Sequence, residues 1–499
     1  MSLSALNANQ HSLSKLMEGF ADTPEMFISG IASDSRKVKS GFLFLACKGI
    51  NNHGINYLKE AAKAGASAIA WDSSTSIAPN KTDITLIAVD NLFQHLGEIA
   101  NRFYKKPSYD LKTIGITGTN GKTTTAWLLK QCLDCLGDRC AYIGTLGSGI
   151  DELADNQGMT TPATIELHYT LSQFLKTGAK SAVIEVSSHA LSQGRVNGVK
   201  FDAGIFTNLT QDHLDYHGDM QTYFETKSKL FLEHNPKIKI INVNSKYGIK
   251  LSEQCSQDAI IVSSNPEMVV DRKFFVIIKS FSMNHLGSKV FFSSSWGEGV
   301  FKIPLPGVFN IENATIVLAY LLAIGIDLNK ACDALSSVKA PSGRMQKLLT
   351  CERRIYVDYA HTPNALESAL KALRPHCLGK LWCVFGCGGD RDKGKRPLMA
   401  RVVEKYADYV VVTSDNPREE NSINIIEDIL SGIKNKNSIK VIEDRAKAIN
   451  WAISNSNKND IVLIAGKGHE AYQEINGERQ PFSDAVQANL AIKSLSRIK

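Results

Sequence analysis

Short continuous apolar runs alternate along this chain with stretches in which an apolar residue returns every third or fourth place, and that succession reads as repeated strand and helix. In the first part, Gly41 to Cys47, Ala66 to Trp71 and Ile84 to Val89 have strand character, and Tyr57 to Ala64 has helical periodicity. Together they predict a small α/β unit, followed by a linker at Asn101 to Asp110 with its Lys105-Lys106-Pro107 step. A second stretch opens with a strand at Thr113 to Thr117 and a helix to about Leu136. Ser181 to Val186 and Phe201 to Thr207 are apolar throughout, as expected of strands buried on both faces of a parallel sheet. Lys289 to Pro306 reads as antiparallel hairpins carrying Trp296 and Gly297, and Asn310 to Ile326 as a helix.

From about Ala340 the alternation is regular. Strand runs at Ile355 to Val357, Leu381 to Phe385, Tyr409 to Thr413 and Ile461 to Ala465 are interleaved with helical runs at Ala365 to Leu373, Arg396 to Tyr406 and Ile423 to Ile433. This is a doubly wound pattern. A polar loop follows each strand: Asp358 to Pro363, Gly386 to Arg396, Ser414 to Glu420 and Gly466 to Glu470. In open α/β sheets ligands bind beyond the carboxyl ends of the strands, so these four loops are expected to converge on one site.

The length of 499 residues implies about three domains, each with its own core. The expected fold is α/β throughout: a small N-terminal unit over 1–108, a central P-loop-type ATPase domain with a mostly parallel sheet over 109–338, and a C-terminal Rossmann-like doubly wound domain over 339–499. A hydrophobic content of 43% with 21% charged residues is that of a soluble globular protein. The net charge of +7 is spread among acidic residues and calls for no nucleic acid partner, although it suits anionic small molecules. Ala314 to Ile326, the longest strongly apolar run, is shorter than the ~20 residues that span a bilayer. Met1 to Ser14 lacks the apolar core of a signal peptide, and the ten cysteines form no disulfide-like framework, so no membrane insertion and a cytoplasmic location are expected. The C-x-x-C at Cys132 and Cys135 lies inside a helix and is read as buried thiols.

Candidate chemistry centres on Gly115-Ile116-Thr117-Gly118-Thr119-Asn120-Gly121-Lys122-Thr123-Thr124, where a strand passes into a helix through a glycine-rich turn. Such a turn aims backbone N–H groups and a helix N-terminus at phosphate; Lys122 would reach the terminal phosphates and Thr123 would offer a hydroxyl to Mg²⁺. The general P-loop spacing would need glycine where Ile116 stands; Gly118 lies only three residues before Gly121. Glu185-Val186-Ser187-Ser188-His189 ends one apolar strand, and Asn208 to Gly218, with Asp212, His213 and His217, follows the next. At strand ends beside a triphosphate, Glu185 and His213 read as metal ligands, and Asp212 and His217 as loop-bonding residues. In Asp415-Asn416-Pro417-Arg418, Pro417 restricts Asn416 to extended backbone and Arg418 offers a planar fork to a carboxylate.

The short Gly-Thr-Asn-Gly-Lys-Thr turn, Glu185 to His189, Asp212 to Gly218, Asn310 to Asn313, Asp358 to Pro363, Asp415 to Arg418 and Gly466-Lys467-Gly468-His469-Glu470 occur in the order that resembles the Mur ligase family, over nearly the whole chain. The resemblance implies an ADP-forming, ATP-dependent acid–amino-acid ligase of cytoplasmic peptidoglycan precursor synthesis. It would add meso-diaminopimelate to UDP-MurNAc-L-Ala-D-Glu through an acyl phosphate, with Mg²⁺ as cofactor and the chain a monomer. On that resemblance Gly118, Thr119, Asn120, Gly121, Lys122, Thr123, Thr124, Asn310, Asn313, Arg344, Asp358 and His361 are expected to bind ATP. Thr160, Thr161, Ser187, Gln193 and Arg195 would bind the UDP-muramoyl dipeptide, with Ser33 and Ser35 at the uridine end and Asn51 a further candidate. Arg391, Asp415, Asn416, Pro417, Arg418, Gly466 and Glu470 would hold meso-diaminopimelate, the arginines taking carboxylates and Glu470 with the Gly466 carbonyl taking the distal ammonium. Lys122, Lys227, Glu185 and His213 would be catalytic, and Thr123, Glu185, His213 and Lys227 would ligate metal. For Lys227 the resemblance implies an N6-carboxylysine, since an ammonium ~4 Å from a unit positive charge is repelled by about 4 kcal/mol at an effective dielectric of 20, whereas a carbamate is attracted. Met159 stands where the family pattern has asparagine.

Overall fold

The computed structural model describes residues 10–49, 52–75, 79, 83–156, 158–255, 257–269, 272–348, 353–435 and 439–497. Two compact units emerge, one from Met1–Asn120, Gly137–Lys239 and Lys250–Ser256, the other from Gly121–Leu136, Ile240–Ile249 and Gln257–Lys499.

In the first unit, strands Gly30–Ala32, Phe42–Ala46, Ala68–Asp72 and Thr85–Val89 pair in parallel, in that order. Successive residues of a strand face opposite sides. Leu43, Leu45, Ala68, Ala70 and Ile87 therefore enter a core with helix Leu92–Phe103, while Phe44, Ala46, Ile69 and Trp71 enter another with helix Leu58–Lys63. The predicted linker is helical at both ends: Leu92–Phe103 carries buried Leu96, Ile99, Ala100 and Phe103 into it, and Pro107–Asp110 forms a short helix. Only the Lys105-Lys106 step between them, with φ of 62° and 54°, breaks the helical path. The apolar period of the preceding helix, with Phe103 buried, extends past the polar residues at which the sequence predicts a boundary.

The second sheet of this unit runs Leu153–Ala154, Gly147–Gly149, Cys140–Gly144, Ser181–Glu185, Lys112–Thr117 and Ala203–Phe206, the last four parallel. Lys112–Thr117 lies between two strands that follow it in the chain, so the loops leaving its carboxyl end and theirs share one rim. That rim carries the phosphate turn, Ser187 and Thr207.

In the second unit, residues 240–242, strand Ile260–Ser263 and strand Phe275–Asn284 are parallel neighbours, and Phe275–Asn284, Gly287–Ser294 and Gly297–Ile303 form an antiparallel meander. The predicted hairpin around Trp296 and Gly297 is its second turn. The C-terminal sheet has the order Gln346–Leu348, Arg354–Asp358, Ile461–Ala465, Leu381–Phe385, Tyr409–Val412 and Ile439–Val441. All its pairings are parallel except the first. The two edge strands and the hairpin Tyr472–Ile475/Glu478–Pro481 were not predicted; Gln346, Lys347 and Lys440 interrupt the apolar runs by which central strands are recognised. Both faces are covered, one by Leu366, Leu370, Met399 and Ile429, the other by Ile449, Ala452, Ile453 and Ala488.

Under the carboxyl edge of this sheet lies Arg445, whose side chain is fully buried. It donates to both carboxylate oxygens of equally buried Asp484 at 2.7 Å, to the Ala465 carbonyl at 2.8 Å and to the Ser414 carbonyl at 3.2 Å. Burial disfavours its charge, but Asp484, with Asp415 behind it, outweighs that and leaves the guanidinium above its ordinary pKa. Removing one member of a buried pair leaves an uncompensated charge. Arg445→Met is expected to destabilise the C-terminal sheet by about 3–5 kcal/mol, and Arg445→Met/Asp484→Leu by less than the single change; thermal unfolding followed by circular dichroism checks the order.

Candidate active site

The phosphate turn is braced by the loop after Ala203–Phe206. The Thr119 N–H donates to the Asn208 carbonyl (2.9 Å) and the Asn120 N–H to Asn208 Oδ1 (2.9 Å), while Thr207 Oγ1 and Asn208 Nδ2 donate to the Asn120 carbonyl at 2.6 and 3.1 Å. Thr119 Oγ1 also donates to the Thr210 carbonyl at 3.1 Å. Gly118 adopts φ +149°, and a Cβ there would stand 2.0 Å from Thr207 Oγ1, so only glycine lets the two loops meet. In the second unit, Gly121 caps helix Lys122–Cys135 at φ 83°, and Thr123 and Thr124 are buried in its first turn. Among the described residues no side chain caps this helix N-terminus, which carries the positive end of the helix dipole. Of the predicted thiol pair, Cys132 is buried, with its pKa pushed up to about 12 by burial, and Cys135 is exposed.

Glu185, the last residue of its strand, is completely buried. Tyr142 donates its hydroxyl to Oε1, the Thr145 N–H donates to Oε1 at 3.0 Å and Thr145 Oγ1 to Oε2 at 3.3 Å. Lys227 is also buried, on helix Met220–Leu232. Its Nζ donates to the Gly118 carbonyl at 2.9 Å and lies 4.7 Å above the Tyr223 ring, so the predicted lysine reaches the phosphate turn itself. His213 has a left-handed backbone, φ 53°, and about half of its side chain is exposed, with Nε2 3.5 Å from Asp212 Oδ2. His217 Nε2 sits 3.0 Å from Ser188 Oγ, a loop-bonding role of the kind expected for it. Among the described residues, no three His, Cys, Asp or Glu side chains gather in a cluster able to hold a metal ion.

The residues expected to bind the dipeptide substrate form one hydrogen-bonded group in the first unit. Thr161 Oγ1 donates to the Glu185 carbonyl at 2.7 Å and accepts from the Ser187 N–H at 3.1 Å. Arg195 donates to the Thr161 carbonyl at 3.0 Å and to Gln193 Oε1 through Nε at 2.9 Å. Thr160 Oγ1 lies 3.2 Å from Thr145 Oγ1. Met159, the departure from the family pattern, turns its sulfur to Arg195 Nη1 at 3.7 Å, a weak acceptor for the same guanidinium. Ser33 is exposed, Ser35 is buried at the start of a 3₁₀ turn, and Asn51 lies outside the described residues.

The remaining expected nucleotide residues belong to the second unit. Asn313 Oδ1 accepts from Thr125 Oγ1 at 3.2 Å and abuts Gly121, where a Cβ would stand 2.6 Å from it. Asn310 Nδ2 donates to the Pro306 carbonyl at 2.8 Å, and its buried Oδ1 has no hydrogen-bond partner among the described residues; the same holds for buried Arg344 Nε. Orphaned buried polar atoms of this kind fit a polar ligand. The Arg344 guanidinium lies 4.6 Å over the Tyr359 ring, which also packs against His361 and His469. Burial lowers the pKa of both histidines, for His469 with help from Arg344, and raises that of Asp358, which accepts from the Met345 and Ala360 N–H groups at 2.7 and 2.9 Å.

All four strand-end loops of the C-terminal sheet do converge. They line a cavity of about 320 Å³ that includes Arg391, Asp415, Asn416, Arg418, Gly466 and Glu470. Pro417, expected among them, is not in the lining; its carbonyl instead accepts from the Glu420 N–H at 3.0 Å. Arg418 is left-handed, φ 53°, and is held there by backbone bonds to the hairpin, donating to the Glu474 carbonyl at 3.0 Å and accepting from the Asn476 N–H at 2.7 Å. Its Nη1 donates to the Gly389 carbonyl at 2.7 Å. A Cβ on Gly389 would stand 1.9 Å from the Pro417 carbonyl oxygen, so the two loops interlock through glycine. Residues given no role from the sequence also shape these places: Tyr142 and Thr145 hold Glu185, Tyr359 and Lys395 line the cavity, and Lys467 bonds to Glu470. A lysine between two glycines at a strand end was the one available signal for Lys467.

Three family models succeed one another along the chain: the Mur ligase family catalytic domain over residues 27–104, the Mur ligase middle domain over 116–321 and the Mur ligase glutamate ligase domain over 343–468. The UDP-N-acetylmuramoyl-L-alanyl-D-glutamate–2,6-diaminopimelate ligase of Coxiella burnetii is 44% identical over 94% of this chain and 96% of its own. A solved structure of a ligase with that description has a TM-score of 0.74 at 33% identity, covering 98% of this chain and 99% of the other. A MurF ligase from Thermotoga maritima in complex with ADP, 17% identical with a TM-score of 0.63 over 94% and 98% of the two chains, shares the fold. With its three domain types in order and relatives matching nearly end to end, the chain belongs to the Mur ligase family.

Proposed function

We propose that this chain is an ATP-dependent amide ligase that joins meso-diaminopimelate to UDP-MurNAc-L-Ala-D-Glu in the cytoplasm, acting as a monomer. The observation that carries the reading is the C-terminal cavity. Two arginines, an asparagine and two carboxylates meet there, which suits an amino-acid end bearing both an ammonium and a carboxylate. No described helix is long and apolar enough to cross a membrane.

The D-glutamate γ-carboxylate attacks the terminal phosphorus of ATP, the bond to the β-phosphate oxygen breaks and ADP leaves. The diaminopimelate amine then attacks the acyl carbon of the acyl phosphate. The tetrahedral adduct loses inorganic phosphate and the amine proton, forming the amide. A carboxylate is a poor electrophile, so activation precedes amide formation, and the protein's share is chiefly positioning and charge stabilisation. Gly118 to Thr124 cradle the phosphates, with Lys122 on the terminal ones; Asn310, Asn313, Arg344, Asp358 and His361 hold the rest of the nucleotide. Thr160, Thr161, Ser187, Gln193 and Arg195 hold the muramoyl dipeptide, with Ser33 and Ser35 toward the uridine. This assigns uridine-nucleotide binding to residues 1–108, ATP to 109–338 with Arg344, Asp358 and His361 added from the next domain, and the amino acid to 339–499.

Mg²⁺, when bound, offsets the charge of the transferring phosphoryl group. Thr123, Glu185, His213 and carbamylated Lys227 would hold it, the oxygen-rich set that this ion prefers. Carbamylation suits Lys227, since the modification replaces a cation with two oxygen ligands beside Gly118.

Phosphate release from ATP in the presence of UDP-MurNAc-L-Ala-D-Glu is expected with meso-diaminopimelate and not with L-lysine or without an amino acid, with a tripeptide product by mass; lysine preference would overturn the pocket assignment. Arg418→Ala should lower kcat/KM for meso-diaminopimelate by about 10-fold or more, the loss of one charge-assisted carboxylate contact, while ATP affinity is unchanged. Lys227→Ala should stop turnover, with partial recovery on adding formate or acetate; full activity without rescue would remove the carbamate role.

A further inference from the structure

Lys467 sits inside the amino-acid cavity's wall with its side chain fully buried, on the loop between Gly466 (φ 117°) and Gly468 (φ 55°). Its Nζ donates to Asn416 Oδ1 and to Glu470 Oε2, both at 2.8 Å, and lies 5.5 Å from the Tyr472 ring centre. The triangle closes through Asn416 Nδ2, which donates to the same Glu470 oxygen at 2.9 Å. A second donor, the Glu474 N–H, reaches Asn416 Oδ1 at 3.0 Å.

Two consequences follow from this geometry. Two donors on one end of the Asn416 carboxamide fix which end is oxygen, so its NH₂ is turned toward Glu470. The Glu470 carboxylate already carries an ammonium as close neighbour, so its attraction for a further cation is partly spent. A ligand end that brings only an ammonium therefore meets a half-neutralised acceptor, whereas one that also brings a carboxylate gains from Arg391 and Arg418, which line the same cavity. The geometry points to Lys467 as a positioning residue that sets amino-acid specificity: it orients Asn416 and Glu470 and disfavours side chains ending in a lone ammonium. This rests on the reading of the cavity as the amino-acid site.

The measurement is kcat/KM for meso-diaminopimelate and for L-lysine, in wild type, Lys467→Met, Glu470→Gln and the double variant, with thermal melting of each. Lys467→Met is expected to reduce the ratio of the two specificity constants at least tenfold, through KM for the amino acids, while KM for ATP stays within twofold. In the Glu470→Gln background, the same change is expected to move the ratio less than threefold. A purely structural role would lower both constants together and leave the ratio where it was; that result, or an equal effect in the Glu470→Gln background, overturns the inference. Lys467→Gln, which keeps a donor but not the charge, carries the same test if the methionine variant melts early. Wild type that uses neither amino acid would sink the reading of the cavity instead, a failure distinct from an unchanged ratio in an enzyme that selects meso-diaminopimelate.

Discussion

Arg445 ties together what the C-terminal cavity needs to exist. The loops that line it leave different strands, and nothing in their own short sequences obliges them to end at the same height. The guanidinium supplies that constraint by donating to the carbonyl of Ala465, the last residue of its strand, and of Ser414, two residues past the end of Tyr409–Val412, and by clamping them to Asp484 at the start of helix Asp484–Arg497. A buried ion pair adds little to stability over an apolar pair of the same size, because desolvation cancels most of the attraction. Its value here is geometric. A planar donor with five N–H groups fixes directions as well as distances, which a packed leucine would not do.

The same economy governs the phosphate turn. Lys112–Thr117 is bracketed by strands that come later in the chain, and the residues following it are gripped by Thr207, Asn208 and Thr210 of the next strand's loop. Backbone groups, already satisfied or fixed by these contacts, leave the turn little freedom to relax away from an anion. The glycines at 118 and 121 serve different ends: the first admits a neighbouring hydroxyl, the second turns the chain into the helix next to Asn313.

How much of this was legible beforehand depended on which physical signal a residue emits. Strands buried on both faces, such as Ser181–Glu185 and Leu381–Phe385, announce themselves as unbroken apolar runs, and with them came the prediction that four loops converge. Edge strands such as Ile439–Val441 and the polar hairpin after Glu470 emit no such signal, because their stability comes from pairing with strands already in place. Helix Leu92–Phe103 ran past the predicted boundary for a related reason: burial of Phe103 outweighed the polar composition around it. At the sites, glycine-rich turns and strand-end carboxylates were readable from spacing alone. The supporting residues were not. Tyr142, Thr145, Tyr359 and Lys467 act through partners distant in the chain, and only the fold brings those partners within reach.

The interlock between Gly389 and the Pro417 carbonyl bears on how the cavity changes over time. Two loops that meet through backbone, and are bonded again by the Arg418 side chain on the Gly389 carbonyl, are constrained to move together. Arg418 adds a third member, since its backbone is paired with the hairpin that follows Glu470. A displacement of any one of these three segments therefore has to be shared by the other two, which leaves the side chains that line the cavity as the part whose replacement alters selectivity without moving the backbone beneath.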